Sequence, residues 1–299
     1  MKKILSSVLA LVMVITLGLT GCGQTEQEEA APQFKSQILF KGSSTLAPVV
    51  SQMATEFIEE YETWDKVNPE FPEASLDIFV SAGGSSAGVK SVIDKTSDFG
   101  MVSREVKDEE KEKVANYSEY KLGLDVLTVS VNPQNPIAGM KDDLTTEEIR
   151  KIFSGEYKYW DDVAAGLPHN EIVVVTRDLG GGAHSVFQSN VMGDTQVKAE
   201  AIQEPSMGAL VAKIMENKDA IGYASYGVVN QNEGKVMPLK VDGIAPTKEN
   251  IVSGAYKISR PLLIVKDGEL LPQEKAFMDF VMSEEGMNMV EKMGFVPAK

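Results

Sequence analysis

Cysteine and histidine are almost missing from this sequence. Cys22 is the lone cysteine, and His169 and His184 are the two histidines. A disulfide within one molecule is thereby excluded, and so is a zinc site of ordinary composition. Basic residues are scarce beside acidic ones, 29 against 44, for a formal net charge of -15. Nucleic-acid backbones are bound through clustered lysine and arginine, so no nucleic-acid partner is expected. No cofactor and no metal are expected either. Long apolar runs are absent with one exception, the uncharged stretch from Ile4 to Leu19.

That stretch follows Lys2 and Lys3, which is the layout of a secretory signal rather than of a folded element. It ends in Leu19-Thr20-Gly21-Cys22, which resembles the lipobox of bacterial lipoproteins, where cleavage precedes the cysteine and lipid is attached to it. Residues 1–21 are therefore expected to be a signal peptide. Cys22 is expected to carry the lipid that holds the chain on the outer face of the cell membrane. Residues 22–37, with Glu26, Glu28, Glu29 and Pro32 and little to bury, read as an acidic flexible tether. Removing residues 1–21 leaves 27 basic against 44 acidic residues, a net charge of -17. The roughly 260 residues that follow exceed one ordinary core, so two domains are expected.

From Ile38 onward, short β-rich runs alternate with helical stretches, the pattern of an α/β fold with a mixed, mainly parallel sheet flanked by helices. Strands are expected at 38–40, 76–80, 98–102, 124–131, 172–176, 220–224 and 258–265, a surface helix at 108–115, and terminal helices over 273–293. The Asn-Pro steps between Asn132 and Pro136 break regular structure and mark a domain boundary. The division reads as 38–131 with 256–299 for one domain and 132–255 for the other.

Three glycine-rich turns, each between a strand and a helix, carry the chemistry: Gly42 to Thr45, Gly84 to Gly88, and Gly180 to Ala183. A helix N-terminus offers unpaired N–H groups and partial positive charge, so an anion can be held there by an acidic protein without a metal. The hydroxyls of Ser43, Ser44, Thr45, Ser85 and Ser86 add donors, the backbone of Gly181, Gly182 and Ala183 adds N–H groups, and Arg177 supplies a guanidinium fork.

The segments KGSSTLAPVV (41–50), AGGSSAGVKSVIDKTSDFGMVSRE (82–105), LTTEEIRKIFSGEYKYWDDV (144–163), KDAIGYASYG (218–227) and VDGIAPTKENIVSGAYKISRPL (241–262) resemble the phosphate-binding proteins of phosphate ABC transporters. The resemblance implies a two-domain periplasmic-binding-protein fold with two hinge crossovers, closing on its ligand. It implies that Ser44 and the Thr45 amide, the Ser85 hydroxyl and Arg177 hold phosphate. Its implied partners are a membrane permease with ATPase subunits, and a monomer is expected. The third turn departs from the family pattern Arg-Glu-x-Gly-Ser-Gly-Thr-Arg: Gly181, Ala183 and His184 replace the serine, the threonine and the second arginine. Two lost hydroxyl donors, at about 1.5 to 3 kcal/mol each, would weaken an anion by roughly two to four powers of ten. Ser103 stands near the place where some members carry an aspartate that accepts the ligand's proton.

Other readings fit the same residues. One is a binder of another oxyanion or a phosphorylated ligand that uses the space left in the third turn, with His184 touching the anion. Another is a sensor without a transport role. A third is a serine hydrolase, since Gly84-Ser85-Ser86-Ala87-Gly88 fits G-x-S-x-G with Ser86 as nucleophile and His184 or His169 as base.

Overall fold

The computed structural model describes residues 34–298. The signal run, the lipobox cysteine and most of the tether fall outside the described residues. Phe34 and Lys35, expected in the tether, belong instead to the folded body. The Phe34 ring stands edge-on to Trp64 at 5.9 Å, and Lys35 pairs with Asp98 at 2.6 Å.

The first strand, β1 (Gln37–Gly42), buries Ile38 and Phe40 and runs parallel to both β2 (Asp77–Ala82) and β3 (Phe99–Val102). Helix α1 (Ala47–Tyr61), opened by Pro48, buries Val49, Val50, Met53 and Phe57, while α2 (Ser85–Ile93) buries Val89 and Val92. A strand of fifteen residues, β4 (Tyr117–Val131), follows. The surface helix expected over 108–115 is only the single turn Asp108–Lys111. Its Glu110 is drawn back to Arg104 and to the Lys107 amide, and the chain then leaves for β4.

Helix α3 (Thr146–Ser154) has a reciprocal cap between Thr145 and Glu148, as a hydroxyl followed three residues later by a glutamate requires. Strand β5 (Val173–Arg177) leads to the short helix α4 (Gly182–Phe187), then to β6 (Ile202–Glu204), α5 (Met207–Glu216) and β7 (Ala220–Ser225). The chain returns along β8 (Ser259–Asp267) and ends in α6 (Pro272–Val281) and α7 (Glu284–Lys292).

The strands run in the order β2-β1-β3-β8-β4-β7-β5-β6. Strand β8 is antiparallel to both β3 and β4, whereas β5 is parallel to β6 and β7. Along β4, residues up to Val126 pair with β8, and Leu127 to Val131 pair with β7. The apolar cores divide at the same place. Residues from Val126 to Ile258, with Val296, pack in one core, while those up to Leu122 and the others from Leu262 onward pack in two more. Leu122 is an extra residue on β4: Lys121 faces Leu263 and Gly123 faces Leu262, a bulge in the ladder. Parallel β1 and β3 deliver their following turns to one edge, and Arg260 and Asp125, opposite each other, lie just beyond the Val102–Leu263 pair.

Candidate functional site

All three glycine turns meet at that edge. Gly42, with φ 139°, is the residue that lets the first turn pass over β3, because a Cβ there would lie 2.2 Å from the Met101 carbonyl. Gly182 carries the third turn onto the second: a Cβ there would lie 2.3 Å from the Ser85 Oγ and 3.1 Å from the Ser103 carbonyl.

The hydroxyls form a chain whose donors can be counted. Ser43 Oγ accepts from the Thr45 and Leu46 amides, both at 3.2 Å, and donates to Ser103 Oγ at 2.9 Å. Ser103 Oγ also accepts from Arg260 Nη1 at 3.2 Å, so its own proton goes to Ser85 Oγ at 3.3 Å. Ser85 Oγ accepts from the Ser103 amide at 3.0 Å as well. Thr45 Oγ1 accepts from Arg260 Nη2 at 3.0 Å. Ser44 Oγ accepts from Arg177 Nη1 at 3.1 Å and from the Met207 amide at 3.2 Å. A hydroxyl has one proton to give. Those of Ser44, Thr45 and Ser85 have no acceptor among the described residues.

Two buried arginines bond to these hydroxyls, Arg177 to Ser44 and Arg260 to Thr45 and Ser103. Arg177, 2 % exposed, is fixed by Asp178 Oδ1 at 2.7 Å and by the carbonyls of Glu204 and Pro205, each at 3.0 Å. Of its five N–H groups, one on Nη1 is left over beside Ser44. Arg260, wholly buried, pairs with the equally buried Asp125 through Nε at 3.0 Å and Nη2 at 2.7 Å. Burial pulls the Arg260 guanidinium below its ordinary value, and Asp125 opposes that pull. Neither Arg260 nor Asp125 was picked out from the sequence. The available signal was a charge in each of two apolar strand runs, Leu124-Asp125-Val126 and Ser259-Arg260-Pro261-Leu262.

The remaining candidates do not join the hydroxyl chain. Ser86 is exposed, and its Oγ accepts from Arg104 Nη2 at 3.3 Å. The Ala183 methyl packs in the core rather than facing the hydroxyls. His184, expected to touch an anion, sets Nδ1 3.2 Å from the Tyr223 hydroxyl. Burial lowers the His184 pKa, and Arg177 adds to the effect while Asp178 opposes it, so the imidazole is neutral near pH 7. Burial pushes the Tyr223 phenol up to about 12. That hydroxyl in turn accepts from the Arg177 amide at 3.0 Å and bonds Thr176 at 2.6 Å, so this group of residues braces Arg177 from behind. No hydrogen bond joins the hydrolase candidates Ser86, His184 and His169 to one another among the described residues. Ser86 has a guanidinium for a partner, His184 is engaged by Tyr223, and His169 bonds Asp161 at 3.0 Å.

Comparison with known proteins matches residues 25–285 to the PBP superfamily domain. The phosphate-binding protein PstS of Staphylococcus saprophyticus is 33% identical over 269 residues, covering 85% of this chain and 78% of that protein. PstS of Staphylococcus aureus is 32% identical over 297 residues, with 95% and 85% covered. Among solved structures, a candidate phosphate ABC transporter substrate-binding protein from Clostridium perfringens, crystallised with bound phosphate, superposes with a TM-score of 0.76 at 30% identity, covering 88% of this chain and all of that one.

Proposed function

The chain belongs to the PBP superfamily and, within it, to the phosphate-binding protein PstS family, and from that membership we propose that it captures inorganic phosphate outside the cytoplasm and delivers it to an ABC transporter. The observation that carries this reading is the donor count. Ser44, Thr45 and Ser85 each accept a bond from a fixed N–H and keep a free hydroxyl proton, and Arg177 keeps one free N–H next to them. Four convergent donors backed by two buried guanidinium groups suit a small, highly charged oxyanion. The family's two extra hydroxyls are replaced here by Gly181 and Ala183, so the site relies on the first and second turns.

The change of core near Val126 and Ile258 supports a reading as two lobes, with β4 and β8 as the crossovers between them and boundaries close to 131/132 and 255/256. Ser44 from one lobe bonds Arg177 and Met207 of the other, a contact that fits hinge closure over a ligand. The lipobox supports anchoring through lipid at Cys22. The partners are then the permease and ATPase subunits, the receptor works as a monomer, and it hydrolyses nothing itself.

The test is a calorimetric titration of the full chain in detergent, after unfolding and refolding to strip carried-over anion. Phosphate is expected to saturate at micromolar concentration, and Arg177→Ala to weaken binding by more than about a hundredfold, roughly 3 kcal/mol. No heat at millimolar phosphate, or unchanged binding in Arg177→Ala, refutes the reading.

A further inference from the structure

Beyond α7, residues Gly294 to Ala298 join the two proposed lobes a third time. The segment runs antiparallel beside β4 at the bulge. Val296 pairs with Leu124 and Pro297 with Gly123, and the Ala298 amide donates to the carbonyl of the bulged residue Leu122 at 3.0 Å. Gly123 makes room for this crossing, because a Cβ there would lie 2.2 Å from the Val296 carbonyl. These main-chain bonds all fall on the part of β4 before Val126, on the side of the first lobe.

The second lobe grips the same segment through side chains. Gln231 Nε2 donates to the Met293 carbonyl at 2.8 Å, Asn230 Nδ2 donates to the Gly294 carbonyl at 3.3 Å, and Lys248 pairs with Glu291 of α7. Next to them the Phe295 ring lies over Gly227 of the short helix Tyr226–Asn230, where a Cβ would sit 2.4 Å from it. Phe295 packs in a first-lobe core and its neighbour Val296 in the second-lobe core. The continuous main chain of β4 and β8 can bend at a hinge but cannot part. The bonds of Asn230, Gln231 and Lys248 can part, because all three side chains are exposed and water can take the place of their partners.

We propose that residues 291–298 are a latch for the closed form, fastened to the second lobe when Ser44 reaches Arg177 and Met207 and released when the lobes separate. The proposal rests on the two-lobe receptor reading. Such a latch acts on affinity without touching the ligand: it raises the fraction of chains in the closed arrangement, and the apparent Kd falls by the same factor.

The experiment compares the full chain in detergent with the double variant Gln231→Ala/Lys248→Ala. Hydrogen exchange without phosphate is expected to become at least about threefold faster at the start of α5, where Ser44 Oγ holds the Met207 amide, while the buried strand β7 keeps the parent's protection. Phosphate titration of the same variant is expected to give a Kd raised at least about threefold, the size that an exposed ion pair and one hydrogen bond allow. Lys275→Ala, which breaks an ion pair within α6, is expected to match the parent in both measurements. Unchanged exchange at α5 overturns the latch, and so does faster exchange with an unchanged Kd; in either case the phosphate reading stands. If the parent binds no phosphate, the receptor reading falls, and exchange at the start of α5 alone decides whether the latch exists.

Discussion

Single residues decide how closely the third turn can approach the other two. Gly182 is held against Ser85 and Ser103 at distances no side chain could enter, with 2.9 Å from the position of its missing Cβ to the Ser85 Cβ. Gly182→Ala is expected to cost about 1 to 3 kcal/mol of stability by overpacking. It should also weaken phosphate at least about tenfold by holding the turns apart, read by melting and titration of the same sample. His184 gives a pH signature. Its folded pKa lies below the ordinary 6.5, because burial disfavours the imidazolium. Its contribution to stability is therefore full above that ordinary value and is lost as the pH falls through the lower folded pKa. Tyr223, Asp178 and Arg177 are the polar groups that face it. Thermal midpoints at about pH 7.5 and about pH 5.5 should drop less in His184→Gln than in the parent. Equal drops would assign the loss to other groups. That Ser44, Ser85 and Arg177 would be candidates was legible in the sequence, because each stands at a glycine turn between a strand and a helix; that their turns meet is what the fold adds. The position of His184 in the turn was readable, but its bond to Tyr223 was not, because it depends on β7, forty residues on.

At the scale of elements, the strand-turn-helix units were the readable part, since periodicity and glycine are local signals. The buried pair at the base of the site was not. Asp125 and Arg260 lie on strands far apart in sequence, and their partnership exists only through the antiparallel register of β4 and β8. Each alone looks like an ordinary strand charge. Removing one partner leaves the other uncompensated in the interior, which costs about 3 to 5 kcal/mol. Asp125→Asn and Arg260→Met are each expected to lose about that much in chemical denaturation, and the double replacement to cost less than the sum of the two. Additivity would mean that the pair does not act as a unit. The strand β4 was read short, from Leu124, because its first half, Tyr117 to Lys121, mixes polar residues on its open face and lacks an apolar run.

For the whole molecule, the α/β class follows from the alternation of short strands and helices, whereas the contacts between the glycine turns are encoded in no local pattern. Ser44 ties the first turn to Arg177 and to the start of α5. A ligand that binds only the folded chain stabilises it by mass action, about 2.7 kcal/mol when free phosphate is a hundred times Kd. The melting midpoint is then expected to rise by about 5 to 10 °C in a chain of this size, and Arg177→Ala to erase the rise. A midpoint indifferent to phosphate would contradict binding to the folded state.

The bulge at Leu122 sets the phase of everything beyond it. Side chains on a strand alternate like a wave of period two, and one extra residue shifts that wave by half a cycle. Residues up to Lys121 follow one phase, and residues from Gly123, including Asp125, follow the other. Deleting Leu122 would make the two phases one. Either the first half of β4 would turn its polar face inward, or Asp125 would swing away from Arg260. The arginine behind the hydroxyls thus owes its counter-charge to the register set by a single inserted residue, and a deletion that swings Asp125 away should weaken binding without altering one residue of the site.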